Sequence, residues 1–188
     1  MSIEDNYQEI LNNQNIIKYL IRPGISAYKD IMECYQKRQD SLLCYLFYNF
    51  YNIRGVETEY KIRCLKYFLR NPNLTQKDLY NGINKITQRN ELSLTTKLFH
   101  TAHTDSIIID IYVREFCGRK RDALDIQLWY NIENDFQNAC VLYLATIFDN
   151  LFPDSVEISK YKKIDFMIWG WGKWKKWKGF NEIYQKTQ

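Results

Sequence analysis

Three observations predict an all-α fold, a single compact multi-helix domain of about eight helices. Apolar residues recur three and four apart along most of the chain, the spacing of one helical face. Gly (7) and Pro (3) are scarce among 188 residues, so there are few breakers and the loops should be short. Hydrophobic residues make up 46%, enough to build a core in a chain of this length and too many for disorder.

The elements follow in order. Tyr7, Ile10, Leu11, Ile17 and Leu20 predict a first helix over residues 4–20, stopped by Pro23-Gly24. Ser26 can cap a long helix reaching Tyr51, and Arg54-Gly55 would end it. Its stretch Leu42–Tyr51 is apolar nearly all round, as a central core helix would be. Residues 57–69 read as an amphipathic helix closed by Asn71-Pro72. Thr75-Gln-Lys-Asp78 resembles a capping box and opens a helix to about Gln88. Ser93 can cap a helix through Ala102. Asp105 or Ser106 can cap the next, carrying Ile109, Val113 and Phe116 and ended by Gly118; a buried β-branched strand over 106–113 is the alternative. Residues 118–122 are a polar loop, and 123–150 hold one or two helices. After the turn at Phe152-Pro153-Asp154, a last helix is expected from Ser159 to Trp169.

Charge is unevenly spread. Residues 159–188 carry eight Lys against Asp165 and Glu182, a net +6 in a chain whose net charge is +4. The organisation expected is therefore a helical core over 1–158 with a basic, aromatic segment over 159–188 packed on the same domain. Such a patch favours nucleic acid, anionic lipid or an acidic protein. The five cysteines form no C-x-x-C pair and sit among apolar neighbours, as buried free thiols do. Together with an acidic N-terminus unlike a signal peptide and no apolar run long enough for a membrane span, they lead us to expect a cytoplasmic protein. No phosphate loop, nucleophile elbow or zinc-finger spacing is present, so kinase, NTPase, hydrolase and Rossmann readings have no support.

Chemistry concentrates between Ser93 and Arg114. His100 and His103 share a helical face, but no further His or cysteine cluster completes a metal site with Asp105, so no metal and no cofactor are expected. The plainer reading has one His satisfied in the interior and the other capping the helix end. Lys97 lies between apolar residues; a partly desolvated lysine becomes a free amine that can attack a sugar carbon. Asp110, thirteen residues on, can stabilise an oxocarbenium charge. Alternatively Lys97 snorkels to solvent and Asp110 pairs with Arg114.

Asp110-Ile-Tyr-Val-Arg114 is similar to the Asp-x-His-Val-x-Arg stretch of helix–hairpin–helix DNA glycosylases. The resemblance covers about thirty residues. It implies a helical glycosylase-like fold, an Asp110 that opens a helix and faces the target nucleotide, and a Lys97 on the helix that carries the Schiff-base lysine in bifunctional members. The chain departs from the family in three ways. Arg89-Asn-Glu-Leu-Ser-Leu stands where a Leu-Pro-Gly-x-Gly hairpin would hold the DNA backbone, Tyr112 replaces the usual His, and the iron–sulfur cysteines are absent.

At the C-terminus Trp169, Trp171, Trp174 and Trp177 interleave with Lys173, Lys175, Lys176 and Lys178. Indoles stack on unpaired bases while ammonium groups meet phosphates. The nucleic-acid-binding set expected is Lys173, Trp174, Lys175, Lys176, Trp177 and Lys178. An interfacial membrane helix is a second possibility, which Gly170 and Gly172 weaken, and tryptophans packed on the body with solvated lysines a third. The function expected is a nucleic-acid-binding protein, a DNA base-excision glycosylase/lyase if an enzyme. The alternative is a non-enzymatic protein–protein interaction factor, in host–virus conflict or as an assembly subunit, with Trp174 and Trp177 at its interface.

Overall fold

The structure, a computed structural model, describes residues 1–53 and 56–186; the helix-ending signal at Arg54-Gly55 and the last two residues of the C-terminal segment lie outside them. Among the described residues there are ten helices and no strand.

Helix α1 (Ile3–Asn12) opens on a capping box in which the Ser2 hydroxyl accepts from Asp5 N–H at 3.1 Å and the Asp5 carboxylate accepts from Ser2 N–H at 2.9 Å. Helix α2 (Gln14–Gln36) runs straight through Pro23-Gly24, where a stop was expected. Pro23 is exposed, as is Tyr19, whose carbonyl loses its donor there, while Ile17, Ile21 and Ile25 bury the opposite face. A mid-helix proline costs about 3 kcal/mol; burying three isoleucines is worth roughly 1.5–3 kcal/mol each. The chain turns instead at Arg38, a non-glycine residue in the left-handed region with φ 55°. Ser26 therefore lies inside α2, and the single helix expected to Tyr51 is two, the second being α3 (Asp40–Phe50). Helix α3 is not central: it buries Leu43, Phe47 and Tyr48 and leaves Leu42 and Tyr45 exposed.

Helices α4 (Thr58–Arg70), α5 (Gln76–Thr87) and α6 (Leu92–Ala102) fall close to the expected spans, with Thr75 capping α5 through Asp78 N–H at 3.2 Å. Ser93 sits within the first turn of α6 rather than at its cap, which is Glu91. Residues 107–110 are neither helix nor strand. The Thr96 hydroxyl accepts from Ile109 N–H at 3.0 Å and so holds this buried, extended run against α6. Helix α7 (Ile111–Phe116) consequently starts at Asp110, later than Asp105 or Ser106 would have it, and Gly118 at φ +70° terminates it. Helices α8 (Ile126–Asp135) and α9 (Ala139–Leu151) follow.

Helix α10 (Lys160–Lys186) does not stop near Trp169 but continues through both glycines. Their role is close approach. A Cβ on Gly170 would lie 2.5 Å from Ile21 Cγ2, and one on Gly172 2.1 Å from Tyr112 Cδ1. Helix α10 packs on α2 and α9 and places Ile164, Phe166, Met167, Ile168, Trp171 and Trp174 in the main core. A second apolar cluster joins α3, α4, α5 and α6 to the C-terminal half of α2. Phe50 and Phe99 pack against both clusters, and a cleft opens along that seam.

Candidate active site

The cleft has a volume of about 590 Å³ and is walled by the end of α3, the start of α6, residues 108–112 and one stripe of α10. That volume is in the range of small-molecule and nucleotide sites. Lys97 and Asp110 both line it. The local sequence explains how they come together. Helix α6 is buried nearly all round, so Lys97, in its middle, is only 6% exposed, at the wall of the cleft. The Thr96–Ile109 bond then holds the 107–110 run beside α6, one residue before Asp110.

Asp110 is the N-cap of α7. Its Oδ1 accepts from Tyr112 N–H at 2.8 Å and Val113 N–H at 3.0 Å. Burial pushes its carboxyl above the ordinary range, against the opposing pull of the Lys97 charge and the two amides. Lys97 Nζ donates to Ser93 Oγ at 2.8 Å and stands 5.5 Å from the centre of the Tyr51 ring. Burial holds its amine below the usual lysine range, although Asp110 and Asp165 favour the ammonium. Lys97 therefore does not snorkel. Nor is Arg114 reserved for Asp110: its Nη2 donates to the carbonyls of Lys120 at 2.7 Å and Asp122 at 2.9 Å, pinning the 118–122 loop.

On α10 the cleft-lining residues are Lys162, Asp165, Phe166, Trp169, Lys173 and Lys176, spaced as one helical stripe. Lys162 and Asp165 were not anticipated. Lys162 is 1% exposed and donates to Asp165 Oδ2 at 2.7 Å, with its ammonium 4.6–5.3 Å from the ring centres of Tyr28, Phe50, Tyr51 and Phe166. The sequence signal is faint: a Lys and an Asp at i, i+3 beside Ile164, Phe166, Met167 and Ile168. Among the described residues the Tyr51 hydroxyl is buried without a hydrogen-bond partner. Nearer the mouth Lys173 lies 3.6 Å from the Trp169 ring centre and Lys176 4.8 Å from that of Tyr112.

The helix divides the expected nucleic-acid-binding set. Lys173 and Lys176 belong to the cleft. Lys175 turns toward Glu9 and Glu115, at 3.9 and 3.8 Å. Trp174 is only 6% exposed and packed in the core, so its ring has no free face for a base and cannot anchor a protein interface either. Trp177, 53% exposed, remains available, and Lys178 lies over the Trp174 ring at 5.4 Å. Trp171 is wholly buried and donates to Glu9 at 2.8 Å.

The histidines are structural. His100 is fully buried; its Nδ1–H donates to Ser106 O at 2.8 Å and its Nε2 accepts from the Tyr28 hydroxyl at 3.1 Å. Burial drives its pKa down to about 3. His103 is the C-cap of α6 and stacks on Phe99 at 4.3 Å. Among the described residues no three His, Cys, Asp or Glu side chains gather as a metal site, and no helix is long and apolar enough to cross a membrane. All five cysteines are free thiols. No protein-family model, no curated protein and no solved structure matches the chain.

Proposed function

We propose that this chain is a nucleic-acid-binding protein that excises a base from DNA, with Lys97 as the attacking amine and Asp110 as the carboxylate that stabilises the oxocarbenium-like sugar. The observation that carries this reading is that Lys97 and Asp110 line one cleft, walled by aromatic rings and basic at its mouth. Burial biases Lys97 toward the free amine, which is the form able to attack carbon. Two backbone amides fix Asp110 Oδ1, so a charge developing on the sugar meets a carboxylate already in place. Phe50, Tyr51 and Trp169 bring partly exposed rings to the cleft wall, and stacking of a base on such a ring is worth about 1–3 kcal/mol. Lys173 and Lys176, which line the same cleft, would meet flanking phosphates. The resemblance of residues 110–114 to the helix–hairpin–helix glycosylases points to the same two residues.

In this mechanism Lys97 Nζ bonds to C1′ while the C1′–N bond breaks, its electron pair leaving with the base. The base gains the proton that the new C1′-bound ammonium loses. Opening of the C1′–O4′ bond, with one proton taken up at O4′, leaves a protonated imine on Lys97.

A panel of oligonucleotides carrying oxidised, deaminated and alkylated bases tests the proposal. Alkali-labile sites should appear at one class of base with the wild-type protein and not with Lys97→Ala. Binding should weaken as salt rises, and Lys173→Gln and Lys176→Gln should each lower the salt slope by about one. Absence of both cleavage and salt-sensitive binding would overturn the proposal.

A further inference from the structure

Lys162 and Asp165 form a buried ion pair in the wall of the cleft for which the proposed excision has no stated use. A chain that needed only to fill this space would do as well with a hydrophobe, because a buried ion pair is often no more stabilising than apolar side chains of equal volume. The pair also shares a neighbour with Lys97. One ring, that of Tyr51, lies 5.5 Å from Lys97 Nζ and 5.1 Å from Lys162 Nζ. Asp165 Oδ2 is engaged by Lys162 at 2.7 Å, while Lys97 Nζ is directed to the neutral Ser93 hydroxyl.

We propose that Lys162 is a positioning residue that occupies the Asp165 carboxylate, so that Lys97 is left as an amine hydrogen-bonded to Ser93 instead of an ammonium paired with Asp165. This rests on the reading of Lys97 as the nucleophile. The groups that face Lys97 set the balance. Asp110 at the start of α7, Asp165 on α10 and Glu91 before α6 favour the ammonium; burial and the Lys162 charge oppose it. Arg89, at 3.2 Å, draws on Glu91. The rings of Tyr28, Phe50, Tyr51 and Phe166 surround the Lys162 side-chain nitrogen at 4.6–5.3 Å. His100, hydrogen-bonded to Tyr28, is held neutral by burial and by the Lys162 charge.

The test is site-resolved reductive methylation of the full-length protein with formaldehyde and cyanoborohydride. Labelling of Lys97 is read by peptide mass spectrometry as a function of pH, with exposed lysines as internal references. Lys162→Met should raise the midpoint for Lys97 by about one pH unit, a tenfold loss of labelling below it. Asp165→Asn should lower the midpoint, and the double variant, which leaves neither charge unpaired, should lie between the two. Circular dichroism establishes which variants fold. If Lys162→Met does not fold, Asp165→Asn must still lie below the double variant. Coincident midpoints among the folded proteins would overturn the proposal. The labelling needs no substrate, so it separates the two claims: shifted midpoints with no base excision leave the ion pair's role standing and remove the excision, and excision with unshifted midpoints does the reverse.

Discussion

Replacing Gly172 by alanine should destabilise the fold, whereas the same change at Gly179 should not. Both glycines lie in α10, so the gain of about 1 kcal/mol in helix propensity is common to both and cancels in the comparison. What differs is what the new methyl meets. At Gly172 it would lie 2.1 Å from Tyr112 Cδ1 and 2.5 Å from Cγ; at Gly179 nothing lies within 4 Å. Carbon atoms pack at about 3.5–4.0 Å, so something at Gly172 must move by roughly 1.4 Å. Cγ is the root of the ring, so Tyr112 cannot yield at its tip alone. Its N–H also holds Asp110 Oδ1 at 2.8 Å, and Lys176 lies over its ring. Overpacking of this kind costs about 1–3 kcal/mol. With a urea m-value of about 1–3 kcal/mol/M, the two variants should unfold roughly 1 M apart. Coincident midpoints would refute the reasoning, because they would mean that α10 does not press on the start of α7 and so does not help to place Asp110.

Other perturbations separate structure from chemistry. Asp110→Ala removes an N-cap and should cost about 0.5–2 kcal/mol, whereas Asp110→Asn keeps the cap; both should abolish excision, read by thermal melts beside the oligonucleotide assay. Trp174→Ala should cost about 3–5 kcal/mol as a core truncation, and Trp177→Ala should stay within about 0.5 kcal/mol, both measured by urea unfolding. The folded state holds the pKa of His100 down at about 3 while the unfolded chain titrates near 6.5. The unfolded state therefore binds the extra proton, so the stability from neutral His100 is present above pH 6.5 and is lost as pH falls toward 3. Stability curves of wild type and His100→Gln should converge on acidification.

The sequence is most legible where local signals act alone. Helices α4 and α5 fall close to the spans that periodicity and the Thr75 cap predict, and α8 and α9 occupy the stretch read as one or two helices over 123–150. It misleads where a tertiary contact overrides a local rule. Pro23-Gly24 and Gly170 read as stops, yet they lie on the two helices packed against each other, where a Cβ on Gly170 would clash with Ile17 and Ile21 and one on Gly24 would press on Phe166 at 3.3 Å. Arg38 reverses the chain without a glycine to announce it. In the cleft, Lys97 and Asp110 stand out because the segment from Ser93 to Arg114 gathers both histidines, a lysine and carboxylates in one place. Lys162 does not, because one lysine among Lys160, Lys162 and Lys163 looks like part of a solvated basic run; only the packing of four rings around it distinguishes it. Trp174 and Trp177 look alike in the sequence and share one face of α10, yet Trp174 packs into the core and Trp177, one turn further along, is exposed.

The most direct test of the central claim is borohydride trapping on a DNA duplex and a single strand that each carry an abasic site. The reading predicts a covalent protein–DNA species whose adduct maps to the peptide containing Lys97, absent in Lys97→Ala and sharply reduced in Asp110→Asn. A folded protein that forms no such species on either strand form, or forms it equally well without Lys97, would contradict the assignment of the cleft as the site of excision.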